Sequence, residues 1–128
     1  MDLVNLALIF MGTPYVWGGN DITKGVDCSG FVCEITRSVG LLDDRDLTAQ
    51  GLYDYYVNKS RGSGIDRNSL LFFGRDNENI THVAIAINYS LMVEAGGEGR
   101  IDTDNGYVRI RPVINRRDLV AAIKLEGL

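Results

Sequence analysis

With 128 residues, 45% of them hydrophobic and 23% charged, the chain is long enough to bury a core without disulfide or metal staples, and it is neither disordered nor fibrous in composition. A formal net charge of −4 argues against a nucleic-acid partner, which would have to be held by phosphate neutralisation. No run is long and apolar enough to cross a bilayer, so no membrane partner is expected. The first stretch, 3–11, is apolar and leads into the turn Gly12-Thr13-Pro14. Asp2 stands where a signal peptide would carry basic residues, so a short amphipathic helix is expected there rather than an export signal.

Two glycine-punctuated blocks follow, Pro14-Tyr15-Val16-Trp17-Gly18-Gly19 and Gly25-Val26-Asp27-Cys28-Ser29-Gly30-Phe31. Phe31, Val32, Ile35 and Val39 recur at helical spacing, Asp27 is a favourable N-cap and Gly40 a stop, which predicts a helix with Cys28 at its first position. A second helix is predicted over 48–57, with Leu52, Tyr55 and Tyr56 available for an inner face, and a polar loop over 58–64. From Ser69 the period becomes extended. Short runs at 70–73, 82–87, 91–95, 107–111 and 120–125 are bounded by Gly, Asn, Asp or Pro, as strands are. Helices first and strands afterwards is an α+β order: N-terminal helices on a mostly antiparallel sheet of five or six strands, in a single domain spanning 1–128. Gly96-Gly97-Glu98-Gly99 lacks the setting and the Lys of a phosphate cradle and reads as a mobile turn bordering a cleft. Arg109, Arg111, Arg116 and Arg117 form a basic stretch that reads as a solvated strand and turn, with no role assigned.

A thiol in the first turn of a helix faces the positive end of the backbone dipole and unpaired amide N–H groups, a setting that favours a nucleophile. Cys28 has that setting; Cys33 does not, reads as core, and lies too far along the same helix to pair with Cys28 in a disulfide. His82 is the only histidine, so by elimination it is the imidazole that a thiol hydrolase needs as base. Alternation puts Val83, Ile85 and Ile87 on one face of its strand and His82, Ala84 and Ala86 on the other, whose small residues leave room for the helix carrying Cys28. If Asn88-Tyr89-Ser90 form a three-residue loop, Glu94 lies opposite Ala84 and shares the His82 face, at a diagonal distance of roughly 7–8 Å that a Glu side chain can span. A two-residue loop would turn Glu94 away. Two cysteines and one histidine are too few for a closed structural zinc site, so no cofactor and no metal are expected.

Taken in order, Pro14-Tyr15-Val16-Trp17-Gly18-Gly19, Asp27-Cys28-Ser29-Gly30-Phe31, Leu71-Phe72-Phe73 and Thr81-His82-Val83-Ala84-Ile85 resemble the NlpC-type, papain-like cysteine peptidases that cut bacterial cell-wall peptides. The resemblance spans nearly the whole chain; its tyrosine-to-cysteine block is specific and its strand motifs weaker. It implies a papain-like α+β fold and hydrolysis, without a metal, of a γ-D-glutamyl bond to a diamino acid in peptidoglycan stem peptides. It also implies Cys28 as nucleophile and His82 as base. The third polar residue of the family is commonly His, Asn or Gln, and the matching position here holds Glu94. Tyr15 matches a position near the reacting thiol and oxyanion, and Asp27 and Ser29 match positions near the free amino end of the stem peptide. A phage tail, phage lysis or a secretion apparatus is the expected route to the wall. Competing readings are a related thiol acyltransferase, and a non-catalytic phage structural or wall-binding module. In the lipid acyltransferase branch the histidine precedes the cysteine, whereas Cys28 comes first here.

Overall fold

The structure is a computed structural model that describes residues 2–96 and 106–128. Helix α1 (Leu3–Ile9) is capped by Asp2, whose side chain accepts from the Asn5 backbone N–H. A two-stranded ribbon, β1 (Asn20–Asp21) and β2 (Gly25–Val26), leads to α2 (Cys28–Ser38), and α3 (Ala49–Tyr56) follows. The main sheet is built from β3 (Ser60–Ser63), β4 (Leu70–Gly74), β5 (Ile80–Ala86), β6 (Leu91–Gly96), β7 (Tyr107–Pro112) and β8 (Leu119–Leu125). Its order is β3-β8-β4-β5-β6-β7, and every neighbouring pair is antiparallel. This is the α+β architecture expected, with six strands.

The ends of α2 follow from its sequence. The Asp27 carboxylate accepts from the Gly30 N–H at 2.7 Å. At the other end Gly40 adopts φ +82°, its N–H bonds the Arg37 carbonyl, and the Leu41 N–H bonds the Thr36 carbonyl, a Schellman closure that only a residue tolerant of positive φ makes without strain. Thr48 caps α3 by accepting from the Gly51 N–H. The segment 58–64, expected to be loop, contains strand β3. Ser60, Arg61, Gly62 and Ser63 carry no apolar alternation because β3 is an exposed edge strand, and its bonds to β8 come from backbone alone.

The main core lies between the helices and one sheet face. Phe31, Val32 and Ile35 of α2 and Leu52 of α3 pack with Leu70, Phe72, Val83, Ile85 and Val93. The helices therefore sit on the Val83/Ile85 face, the reverse of the expectation that they would use the small-residue face. The larger branched side chains bury more apolar area against a helix than Ala84 and Ala86 could. The alanine face joins Leu71, Phe73, Met92 and Val113 in a second, smaller cluster. Strand β4 is buried along its whole length because it serves both clusters.

Two close approaches lock the segment before α2 against the helix. A Cβ at Gly30 would lie 2.2 Å from the Gly19 carbonyl oxygen, and one at Gly19 would lie 2.6 Å from the Gly25 carbonyl oxygen. Gly30→Ala is expected to lower the urea midpoint, at a cost of about 1–3 kcal/mol for overpacking against backbone that cannot retreat. A midpoint within error of the parent would show that this contact is not tight.

Candidate active site

His82 and Glu94 come together through strand register. In the β5–β6 hairpin Ile85 pairs with Val93 and Ala86 with Met92, which sets Ala84 opposite Glu94. The hairpin closes as the three-residue loop requires: the Ile87 N–H bonds the Leu91 carbonyl at 2.8 Å, and the Asn88 side chain accepts from the N–H groups of Ser90 and Leu91. Glu94 consequently shares the His82 face, and His82 Nε2 lies 2.7 Å from Glu94 Oε1. Both are buried, at 8% and 2% exposure, so the bond is shielded from water.

The other side of Glu94 faces two cations. Arg109 is its cross-strand partner on β7, with Nε 3.6 Å from Oε2, and Arg111 Nη1 stands 3.9 Å from the same oxygen. These are charge contacts beyond hydrogen-bond length. A Cβ at Gly96 would lie 2.6 Å from Glu94 Oε2 and 2.7 Å from Arg109 Nη2, so glycine leaves the space in which carboxylate and guanidinium meet. Burial alone would raise the Glu94 pKa, but the His82 bond and charge, with the charges of Arg109 and Arg111, hold it below its usual 4.5.

Cys28, the first residue of α2, meets His82 at the end of the sheet where β5 begins and β6 ends. The sheet is irregular there: Phe73 pairs with His82 but Gly74 with Ile80, which leaves Thr81 as the extra residue of a β-bulge. A bulge bends its strand and re-aims the neighbouring side chain. With Nε2 engaged by Glu94, Nδ1 is the ring nitrogen left for the Cys28 thiol. Burial opposes charge on the imidazole, but hydrogen bonds to Cys28 and Glu94 and their negative charge outweigh it and raise the His82 pKa from 6.5 to about 9. Phe73 flanks the ring, its centroid 5.6 Å away.

The thiol, the imidazole and the carboxylate line one cleft of about 340 Å³, together with Tyr15 and Trp17 from the glycine-punctuated block. Asp27 and Ser29 are not in that cleft. They border an adjoining hollow of about 170 Å³ beside Gly18, Asp46 and Thr48. Asp27 there accepts from Gly30 and Ser29 through Oδ1 and from the Gly18 N–H through Oδ2, so it ties the loop to the helix as well as capping α2. Cys33, by contrast, is wholly buried, its Sγ in contact with the Leu47 backbone, and burial pushes its pKa up. Both cysteines are free thiols.

Sequence reasoning gives no role to Thr81, Arg109, Arg111 and Arg116, all of which line the cleft, whereas Gly96, expected to border a cleft, does so. In sequence Arg109 and Arg111 read as a solvated stretch; they alternate on a strand and so share a face, but no short turn fixes the register that sets them beside Glu94. Arg116 is held by Asp118 in two bonds of 3.0 and 2.8 Å. The expected turn of Gly96-Gly97-Glu98-Gly99 lies outside the described residues from 97 onward; Gly96 itself ends β6. Among the described residues no three His, Cys, Asp or Glu side chains gather as a metal-ligand set.

A helix-borne thiol set against an imidazole–carboxylate pair on an antiparallel sheet is a papain-like arrangement. Residues 12–113 match the model of the NlpC/P60 family, and the chain belongs to that family. It is 33% identical over 96 residues to the gamma-D-glutamyl-L-lysine dipeptidyl-peptidase of Bacillus cereus, covering 73% of this chain and 28% of that one. It is 32% identical over 107 residues to the bifunctional muramidase/DL-endopeptidase CwlT of Bacillus subtilis, covering 80% and 32%. The chain thus spans about a third of the length of these curated relatives. Among solved structures, the NlpC/p60 domain of the peptidoglycan hydrolase SagA superposes with a TM-score of 0.70 at 29% identity, covering 96% of each chain. The P60 domain of an antigen from M. avium subspecies paratuberculosis shares the fold, with a TM-score of 0.74 at 23% identity, over 98% of this chain and 93% of that one.

The lone histidine makes two predictions direct. NMR titration of the His82 ring is expected to give a midpoint near 9 that falls in Glu94→Gln, because the carboxylate charge is removed. A raised folded-state pKa contributes stability that is whole below 6.5 and lost as pH rises toward 9, whereas the lowered pKa of Glu94 contributes above 4.5 and is lost as pH falls. The stability deficit of Glu94→Gln should therefore be largest between pH 4.5 and 6.5. A His82 midpoint unmoved by the substitution would refute the coupling. In native protein iodoacetamide is expected to label Cys28, which lines the cleft, and to spare Cys33, at 0% exposure. Peptide mapping by mass spectrometry checks this.

Proposed function

We propose that the chain is a cysteine endopeptidase that hydrolyses amide bonds of peptidoglycan stem peptides, with Cys28 as nucleophile, His82 as general base and acid, and Glu94 orienting the imidazole. The observation that carries this reading is the 2.7 Å bond between His82 Nε2 and Glu94 Oε1, which leaves Nδ1 as the ring nitrogen for the Cys28 thiol at the helix N-terminus. The relatives named as γ-D-glutamyl-L-lysine peptidase and DL-endopeptidase support the substrate class.

In the proposed cycle the Cys28 sulfur attacks the scissile carbonyl carbon and forms a tetrahedral oxyanion. The backbone N–H of Cys28, which has no acceptor within its own helix, and the Tyr15 hydroxyl are the groups proposed to receive that charge. His82, protonated at Nδ1, gives its proton to the departing amine as the C–N bond breaks and leaves a thioester. The neutral ring then takes a proton from water, hydroxide adds to the thioester, and the free carboxylic acid leaves as the thiol is restored. Glu94 holds the ring by the Nε2–H bond throughout, and its charge favours the imidazolium state used in the first half. Asp27 and Ser29 edge the hollow beside the cleft and are proposed to receive the free amino end of the stem peptide, the fit being that of an ammonium to a carboxylate and a hydroxyl. The bond proposed is that between γ-D-glutamate and the diamino acid.

Mass spectrometry of defined muropeptides after incubation with the protein is expected to give two fragments split at that bond. Cys28→Ala should abolish them, and Glu94→Gln should lower kcat by about 100-fold or more, since it removes the carboxylate that holds His82 in the tautomer and orientation its acid–base role needs, a role that contributes about 10²–10⁴. Equal turnover by Cys28→Ala would sink the mechanism.

A further inference from the structure

The charges around Glu94 do not balance. Glu94 spends Oε1 on His82, and its remaining oxygen faces both Arg109 and Arg111 at distances too long for hydrogen bonds. Arg109 Nε is buried and has no hydrogen-bond partner among the described residues, an arrangement whose desolvation cost is recovered only if something else accepts from it. Arg116, the third cation of the cleft, is already neutralised by Asp118. The Cys28–His82 pair adds no net charge in either proton arrangement. Among the described residues, one carboxylate against two guanidinium groups leaves a surplus of one positive charge in a half-enclosed cleft, where water screens it poorly.

We propose that Arg109 and Arg111 form a subsite for a free carboxylate of the substrate, next to the amide that is cut. This rests on the endopeptidase reading and names what that site selects. A stem peptide offers two such groups. A γ-linked glutamyl residue keeps its α-carboxylate free, and a diaminopimelyl residue, unlike a lysyl one, carries a second carboxylate on its side chain. The guanidinium pair suits either, because a forked donor matches the two oxygens of a carboxylate and loses one acceptor and the charge when that group becomes an amide.

Trp17 is the only tryptophan and lines the same cleft, so its fluorescence reports binding directly. The Cys28→Ala protein, which leaves the peptide intact, is titrated with L-Ala-γ-D-Glu-diaminopimelate in three forms: free acid, glutamyl α-amide and diaminopimelyl side-chain amide. One amide is expected to bind at least about tenfold more weakly than the acid, as loss of a charge-assisted pair implies, and that amide identifies the carboxylate read. Adding Arg111→Gln should erase the difference for that peptide while leaving the other two ranked as before. Equal binding of all three forms by folded protein, no measurable binding of any, or uniform weakening by Arg111→Gln would each overturn the subsite. The endopeptidase reading fails separately: wild-type protein that prefers the acid in binding yet cuts none of the peptides keeps the subsite and loses the enzyme, whereas equal cutting of acid and amides keeps the enzyme and loses the subsite.

Discussion

The buried bond between His82 and Glu94 is the constraint around which the rest of this structure is arranged. An imidazole and a carboxylate can share a water-poor site only if each satisfies the other, and once they do, their positions are set by backbone register rather than by side-chain freedom. The three-residue hairpin that puts Glu94 opposite Ala84 is therefore a condition of the site. Because this pair occupies the face opposite the helices, a thiol on α2 cannot meet it through the middle of the sheet. It meets the ring at the strand ends, where the bulge at Thr81 interrupts the pairing of β4 with β5.

Delivery of that thiol depends on close backbone packing. Asp27 caps α2 and also bonds the Gly18 N–H, so one carboxylate fixes both the start of the helix and the loop carrying Tyr15 and Trp17. Glycine at 19 and 30 allows the loop and helix to come within a distance that any Cβ would block. The same economy recurs at Gly96, where the missing side chain makes room for Glu94 and Arg109. Glycines at three points of the chain thus shape the site, 19 and 30 at the hollow and 96 at the cleft, each admitting a backbone or a charged group where a methyl would stand.

Electrostatics then divide the two thiols. Cys28 borders the cleft and acts on an imidazole whose charged form is favoured by its neighbours. Cys33, five residues further along the same helix, is sealed among apolar groups and the Leu47 backbone. Glu94 is held ionised by three cationic neighbours although it is almost fully buried, so the site can keep a charge without solvent. Within a family shared with wall-active relatives, this arrangement accounts for the proposed thiol chemistry from the chain's own residues.

Local sequence by itself determined the α+β order, the position of Cys28 at a helix start and the choice of His82. Capping residues, a single histidine and period changes act over a few residues and need no knowledge of distant partners. Parity in a short hairpin extended that reach to Glu94, because a turn of known length leaves one register. Beyond short turns the chain alone was silent or misleading. Tertiary structure decided which face of β5 the helices cover, because that choice compares the burial of whole faces and not the fit of one helix. It recruited 60–63 as an edge strand through backbone bonds to β8, which leave no mark in side-chain pattern. It brought Arg109 and Arg111 to Glu94 because the register of β6 with β7 is a long-range property. It also set Cys28 on the cleft with Tyr15 but its neighbours Asp27 and Ser29 on an adjoining hollow, since successive residues at the start of α2 point to different sides.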